Sequence, residues 1–247
     1  NIQTTRDLIH RLHSDKILRV LCGWRYKNDI PSESKFSRVF KELSELKIAQ
    51  KTHQKFIEEY LSDTIFFYNA TDATKIPLRV KPIKVEKKEK VKNKKGRTKK
   101  GETLLSKKPT ILQLQQTMTT TKEMLSLVST NCGVGVKQNS KGNHEVWIGG
   151  KLHISAVDGD IPITAFYSGA NVHDSSVALP LINETSKRVN YFYDLQDAGY
   201  DNNIIRDFSK KLNHRPLIDI NPKNSKELKE KIQLIKDEKK KFKILNL

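Results

Sequence analysis

The chain is poor in cysteine and lacks any long hydrophobic segment. Its 247 residues include only two cysteines, Cys22 and Cys132, which are far apart and lack the spacing of a metal site. Two isolated cysteines are typical of reduced thiols in a cytosolic protein. No apolar run approaches the roughly 18 residues of a membrane-spanning helix, and no signal-peptide pattern is present. We therefore expect a cytoplasmic protein with no membrane partner.

A phosphate-binding loop is also missing. The segment 131–150 is rich in Gly, Asn and Ser, but it contains no Gly-Lys-Ser or Gly-Lys-Thr pattern. We interpret its scattered glycines as turns and sheet edges, which excludes a nucleotide-binding protein of the P-loop type.

Positive charge is the dominant compositional feature. The chain has 46 Lys and Arg against 28 Asp and Glu, a formal net charge of +18. The stretch 81–108 carries +10 of this excess, and the remaining +8 is spread over the rest of the chain. A field of that sign favours polyanionic partners such as DNA. The alternative is a soluble protein with a solvated, Lys-rich loop.

The stretch 81–108 has too few apolar groups to offset the entropy of ordering, so we predict a flexible insertion between two strands. Each lysine that neutralises a phosphate releases a counterion, which would give salt-sensitive and sequence-independent DNA affinity. A solvated loop without a partner is the alternative. The basic residues that we assign to DNA binding are Lys87, Lys88, Lys94, Lys95, Arg97, Lys99, Lys100 and, further along, Lys151.

Residues 1–63 carry the periodic pattern of three amphipathic helices. We predict that the first runs unbroken to Gly23, that the second begins at Pro31 and that the third covers 49–61. Such a domain is either a DNA reader of the helix-turn-helix type or a plain helical bundle.

The segment 189–222 predicts a strand, a helix and a second strand. An apolar run ends at Leu195, Asp201-Asn202-Asn203 offers N-cap side chains, and apolar residues then recur at helical spacing. Asp197 lies where the first strand ends. Open α/β sheets place their chemistry at the carboxyl ends of strands, so Asp197 is a candidate site residue.

Upstream, a short β-type run at 64–68 leads to Asp72. Asp158-Gly159 signals a hairpin between two further strands. A helix begins after Val172, and we interpret Asp174 as a helix N-cap or first-turn acid, with His173 in a loop.

Three segments of the chain resemble the DDE-class insertion-sequence transposases of bacterial type. They are D-A-G-Y-D with I-I-R-D-F behind it, the run K-L-H-I-S-A-V-D-G-D to V-A-L-P-L over 151–181, and the N-terminal T-T-R-D-L-I and D-I-P-S-E-S-K-F-S-R-V-F. The resemblance implies an α/β fold. Its RNase H-like mixed sheet, flanked by helices, would occupy 64–247 after a small all-helical domain over 1–63.

The same resemblance implies a function. Asp72 and Asp197 would be catalytic residues and ligands of Mg²⁺, with Mn²⁺ as a substitute, in cleaving and transferring DNA strands. The partners would be the element's terminal inverted repeats and target DNA, in a nucleoid-associated protein. Joining two ends would require a homo-oligomer on DNA, although no coiled-coil heptad supports one.

The family's third carboxylate is a Glu on a later helix, accompanied by Tyr, Arg and Lys. Glu227, Glu230 and Glu238 lie among lysines without those partners. We therefore expect a transposase truncated before the catalytic Glu. The alternatives are a catalytically inactive DNA-binding remnant that occupies element ends, and a nuclease of the same fold.

Overall fold

A computed structural model describes residues 2, 4–82, 109–138, 142–222 and 225–245. The chain divides into two compact units, Asn1–Leu61 and Ser62–Leu247. The predicted DNA-binding residues between Lys87 and Lys100 lie outside the described residues, as does most of the predicted insertion.

The first unit is helical. Its helices are α1 (Thr5–Ser14), α2 (Lys16–Leu21), α3 (Glu33–Glu45) and α4 (Ile48–Tyr60). The prediction of one unbroken helix up to Gly23 was wrong, because the chain is extended at Asp15, between α1 and α2. The Asp15 carboxylate accepts a hydrogen bond from the Leu18 amide at 2.9 Å and caps α2.

The second unit contains a six-stranded mixed sheet. Its strands are β1 (Ile65–Pro77), β2 (Gly133–Gln138), β3 (His144–Val157), β4 (Ile161–Gly169), β5 (Asn190–Gln196) and β6 (Arg215–Ile218). Strand β1 is central, antiparallel to β3 and parallel to β5, and β6 extends the parallel part beyond β5. Strand β3 pairs antiparallel with β2 over its first half and with β4 over its second.

Short helices flank this sheet. Helices α7 (Ala178–Thr185) and α8 (Asn203–Lys211) contact its strands. Helix α5 (Ile111–Gln115) packs against α8 and α6 (Thr121–Ser126) packs against α7, and α9 (Lys226–Leu245) follows the last strand. The core contains Leu112, Met124, Ala178, Leu179, Ile182, Tyr200, Ile205 and Ile218. The predicted α/β class, with a mixed sheet flanked by helices, is confirmed. Within the described part of the chain, no helix is both long and apolar enough to span a membrane.

The segment 131–150 contains more strand than the predicted turns, since β2 and the start of β3 occupy most of it. The predicted sheet edge is confirmed, because β2 is the edge strand beside β3. Glycine is used there for close packing. A Cβ on Gly135 would overlap the indole ring of Trp147 on the paired strand, so a residue with a side chain does not fit.

Strand β1 is longer than the predicted run at 64–68. Asn69 and Thr71 interrupt its apolar pattern, yet β3 pairs with this stretch on one side and β5 on the other. Because both neighbouring strands take up its backbone hydrogen bonds, β1 continues through Asp72 despite the polar side chains.

Candidate functional site

The two predicted catalytic aspartates lie side by side where the pairing of two adjacent parallel strands ends. Thr71 of β1 is in register with Gln196, the last residue of β5, so Asp72 and Asp197 each follow directly, although β1 itself continues to Pro77. Asp72 Oδ1 accepts a hydrogen bond from the Ala73 amide at 2.7 Å. Asp197 Oδ1 accepts one from the Gly199 amide at 2.9 Å. Both carboxylates remain exposed to solvent.

Both aspartates line one cavity of about 350 Å³. Its other lining residues are Ala73, Thr74, Lys75, Val136, Lys137, Glu145, Trp147, Lys151 and Asp174. The structure thus brings together three predicted site residues, namely Asp72 and Asp197 of the expected catalytic pair and Lys151 of the expected DNA-binding set.

Asp174 is a third aspartate in this cavity, and sequence reasoning did not place it there. It does open a helical turn, the 3-10 segment Asp174–Val177, but the N-cap is His173, whose ring nitrogen accepts from the Ser175 amide. The run V-H-D-S-S has the character of a helix start, so no local signal distinguishes a capping acid from one that faces a cavity.

Lys151 is held at the cavity wall. Its Nζ donates to Asp174 Oδ1 at 2.8 Å and to the Val172 carbonyl at 2.9 Å. Its side chain is only 15% exposed. Lys151, which was predicted to contact DNA, therefore already has two hydrogen-bond acceptors within the protein.

The phenol of Tyr200 is within the electrostatic influence of all three carboxylates. Tyr200 is buried, and its hydroxyl has no hydrogen-bond partner within the described part of the chain. Burial raises the pKa of Tyr200, and the negative charges of Asp174, Asp72 and Asp197 raise it further. The phenol consequently stays protonated and can donate a hydrogen bond.

His153, opposite Ala73 in the pairing of β1 and β3, is buried near these charges. It is fully buried, and its Nε2 lies 2.8 Å from Ser168 Oγ, whereas its Nδ1 has no partner among the described residues. Burial lowers the pKa of His153 to about 4, an effect that nearby Asp174 opposes and Lys151 reinforces. The imidazole is neutral at physiological pH.

The donor set suits a hard cation. Mg²⁺ typically uses one or two protein carboxylates, together with waters and substrate phosphate oxygens. Asp72 and Asp197 provide two such carboxylates. Among the described residues, no three or more His, Cys, Asp or Glu side chains are grouped closely enough to hold a metal by themselves. The described lining of the cavity contains neither Glu227 nor Glu230 of α9.

Comparisons of the chain with protein-family models, with curated proteins and with solved structures found no match.

Proposed function

We propose that the second unit cleaves and transfers DNA strands with Mg²⁺ in the manner of a DDE transposase. One observation carries the proposal: Asp72 within β1 and Asp197 just after the parallel strand β5 are neighbours and line the same cavity. Carboxylates on two neighbouring strands can hold metal ions against one phosphodiester.

The sheet supports an RNase H-like fold for this unit. Its first strand, β1, carries one aspartate, has the β3–β4 hairpin on one side and lies parallel to β5 on the other. Helix α8 then connects β5 to the parallel strand β6, a strand–helix–strand unit with Asp197 at the end of its first strand.

Asp72 and Asp197 would hold Mg²⁺, or Mn²⁺ in its place. The bound metal would act as a Lewis acid toward the phosphodiester. The chain's own contribution is positioning. Lys151 fixes Asp174 in the wall, and Lys137 places positive charge beside the space that a DNA phosphate would enter, whereas Lys75 is paired with Glu145.

The test is cleavage of a labelled DNA substrate in Mn²⁺ by the 247-residue chain and two variants, Asp72→Asn and Asp197→Asn. Both variants should lose cleavage at least about a hundredfold, since each removes a metal ligand. Asp160→Asn is the matched control. Asp160 lies in the exposed hairpin turn at φ 59°, a conformation that asparagine adopts readily, so this variant should cleave normally. Cleavage that persists in Asp197→Asn would overturn the assignment.

A second candidate function is DNA binding without chemistry. It is favoured by the pairing of Asp174 with Lys151 and by the lack of a third metal-binding carboxylate in the described residues. A Mn²⁺ titration distinguishes the two. A Mn²⁺ site that is present in the wild type and absent from Asp72→Asn supports the enzyme. Identical titration curves for the wild type and Asp72→Asn support the DNA-binding protein.

A further inference from the structure

A second cavity lies at the opposite ends of the same two strands. It has a volume of about 630 Å³ and is lined by Phe67, Phe192, Tyr193, Lys210, Asn213, His214 and Arg215. Phe67 precedes Asp72 by five residues on β1, and Phe192 precedes Asp197 by five residues on β5. At about 3.3 Å per residue, the two cavities are separated by about 16 Å along the strands. We call this second cavity the aromatic groove.

Two phenylalanines form one wall of the aromatic groove. The register of β1 and β5 makes Phe67 and Phe192 neighbours, and their ring centroids are 6.5 Å apart with an interplanar angle of 52°. Phe67 is 69% exposed and Phe192 is 52% exposed. A pair of exposed phenylalanines on a rigid sheet leaves two aromatic rings accessible for stacking with a flat ligand.

The opposite wall is basic. Lys210 lies in the last turn of α8, and Asn213 then adopts a left-handed conformation, φ 64°, that turns the chain back toward the sheet. Arg215 follows at the start of β6, in register with Tyr193. The turn therefore brings two cations to the edge of the aromatic wall.

The lining of this groove contains no acid among the described residues. One carboxylate does lie nearby, since Asp158 accepts hydrogen bonds from the amides of Phe67 and Tyr68 at 2.6 and 3.1 Å. The closest carboxylate to Lys210 Nζ is that of Asp207 at 3.9 Å, in a solvent-exposed pair that contributes little. Asp194 lies 3.5 Å from His214 Nδ1, but it is fully buried behind the imidazole and hydrogen bonded to Asn69 and Ser209.

We propose that the aromatic groove binds single-stranded nucleic acid, with an unpaired base stacked on Phe67 and Phe192 and its phosphate held by Lys210 and Arg215. Exposed aromatic rings beside cations are the usual components of such sites. An unstacked base is required, because the bases of a duplex present no free face. An apolar peptide without acidic residues is a poor ligand for this groove, because it would leave Lys210 and Arg215 desolvated and unpaired.

The experiment compares labelled oligo-dT with a duplex of the same length, by fluorescence anisotropy with the full chain in EDTA. EDTA removes the contribution of any metal at Asp72 and Asp197, so the result does not depend on the proposed catalysis. The sequence-independent attraction of the basic chain for phosphates favours the duplex, which has the higher charge density, so tighter binding of the single strand reports contacts other than charge. The wild-type protein should bind the single strand more tightly than the duplex.

The double variant Phe67→Leu with Phe192→Leu keeps two exposed apolar side chains but removes both aromatic faces. It should weaken oligo-dT binding about tenfold or more and leave duplex binding unchanged. Ile65→Ala, at an exposed position two residues before Phe67, is the control for loss of apolar surface on the same strand and should bind as wild type does.

The variant Arg215→Gln tests whether the basic wall of the groove holds a phosphate. Lys122→Ala, at an exposed position of α6, is the control for the loss of one positive charge. Arg215→Gln should weaken oligo-dT binding more than Lys122→Ala does. The dissociation constant of labelled oligo-U, compared with that of oligo-dT, shows whether RNA binds as tightly as DNA. An unchanged preference for single strands in the double leucine variant would overturn the proposal. If that variant instead dissociated an oligomer in analytical ultracentrifugation, the groove would be a protein interface.

Discussion

The Lys151 ammonium lies 2.8 Å from the carboxylate of Asp174 and ties the start of the 3-10 turn Asp174–Val177 to strand β3. This pair joins the third acid of the cavity to the sheet that carries Asp72. The Lys151 side chain is 15% exposed and that of Asp174 is 36% exposed, so the interaction is only partly screened by solvent.

We expect Lys151→Met to lower the free energy of unfolding by about 1–2 kcal/mol, because it leaves Asp174 and the Val172 carbonyl without their donor. Lys75→Met is the matched control on the neighbouring strand. Its partner Glu145 is 52% exposed, so the loss should stay below about 1 kcal/mol. Urea denaturation measures both, and equal losses would contradict a special role for the Lys151 pair.

Removing one hydrogen-bond donor from the buried Asp194 should lower the free energy of unfolding. Its carboxylate is fully buried and accepts hydrogen bonds from Asn69 Nδ2 and Ser209 Oγ. Ser209→Ala leaves one carboxylate oxygen without its donor and should lower the free energy of unfolding by about 1–3 kcal/mol. Asp207→Ala, exposed on the same helix, should change it by less than about 0.5 kcal/mol. A stability of Ser209→Ala equal to that of wild type would show that the bond contributes nothing.

The buried His153 predicts a stability that falls with acid. Its pKa is lowered by burial from 6.5 to about 4 in the folded protein, so the unfolded chain binds the proton more tightly. Stability therefore increases with pH between about 4 and 6.5 and is fully retained above that range. Between pH 7.5 and pH 5 this group alone should lower the free energy of unfolding by about 2 kcal/mol.

His153→Gln removes that titration. We expect the variant to be less stable than wild type at pH 7.5, because its side chain must replace a packed imidazole, but to lose less stability on acidification. Denaturation curves at both pH values, recorded in EDTA, measure the difference. Parallel losses in the two proteins would exclude His153 as the responsible group.

Gly149 occupies a position in the β1–β3 pairing where there is no room for a side chain. It adopts φ 151°, and a Cβ there would collide with the Ile76 carbonyl oxygen and come within 2.9 Å of the Leu78 nitrogen. Gly149→Ala should therefore cost more than about 3 kcal/mol. Gly159→Ala is the control. It has φ 77° in the hairpin turn, but its nearest neighbour would be 3.9 Å away, so only about 1 kcal/mol is expected. Thermal unfolding ranks the two variants, and a smaller loss for Gly149→Ala would contradict the packing argument.

Much of the secondary structure is determined by local sequence. Helix α8 begins after Asn202, whose side chain accepts from the Ile204 amide, as its capping pattern predicts. The Asp158-Gly159 signal produces the β3–β4 hairpin, with Gly159 at a positive φ. Asp197 follows the end of β5 as predicted. Capping bonds, turn conformations and helical periodicity act over a few residues, so the sequence displays them directly.

Tertiary structure decided which residues meet. Strand β1 continues through Asn69 and Thr71 only because β3 and β5 pair with it from both sides. The same register places Asp72 beside Asp197 where the β1–β5 pairing ends and Phe67 beside Phe192 near where it begins. Asp174 has the sequence context of a helix start, and its place in the cavity depends on Lys151, 23 residues earlier on β3. Pairing register and side-chain packing connect residues far apart in the chain, so no local pattern contains them.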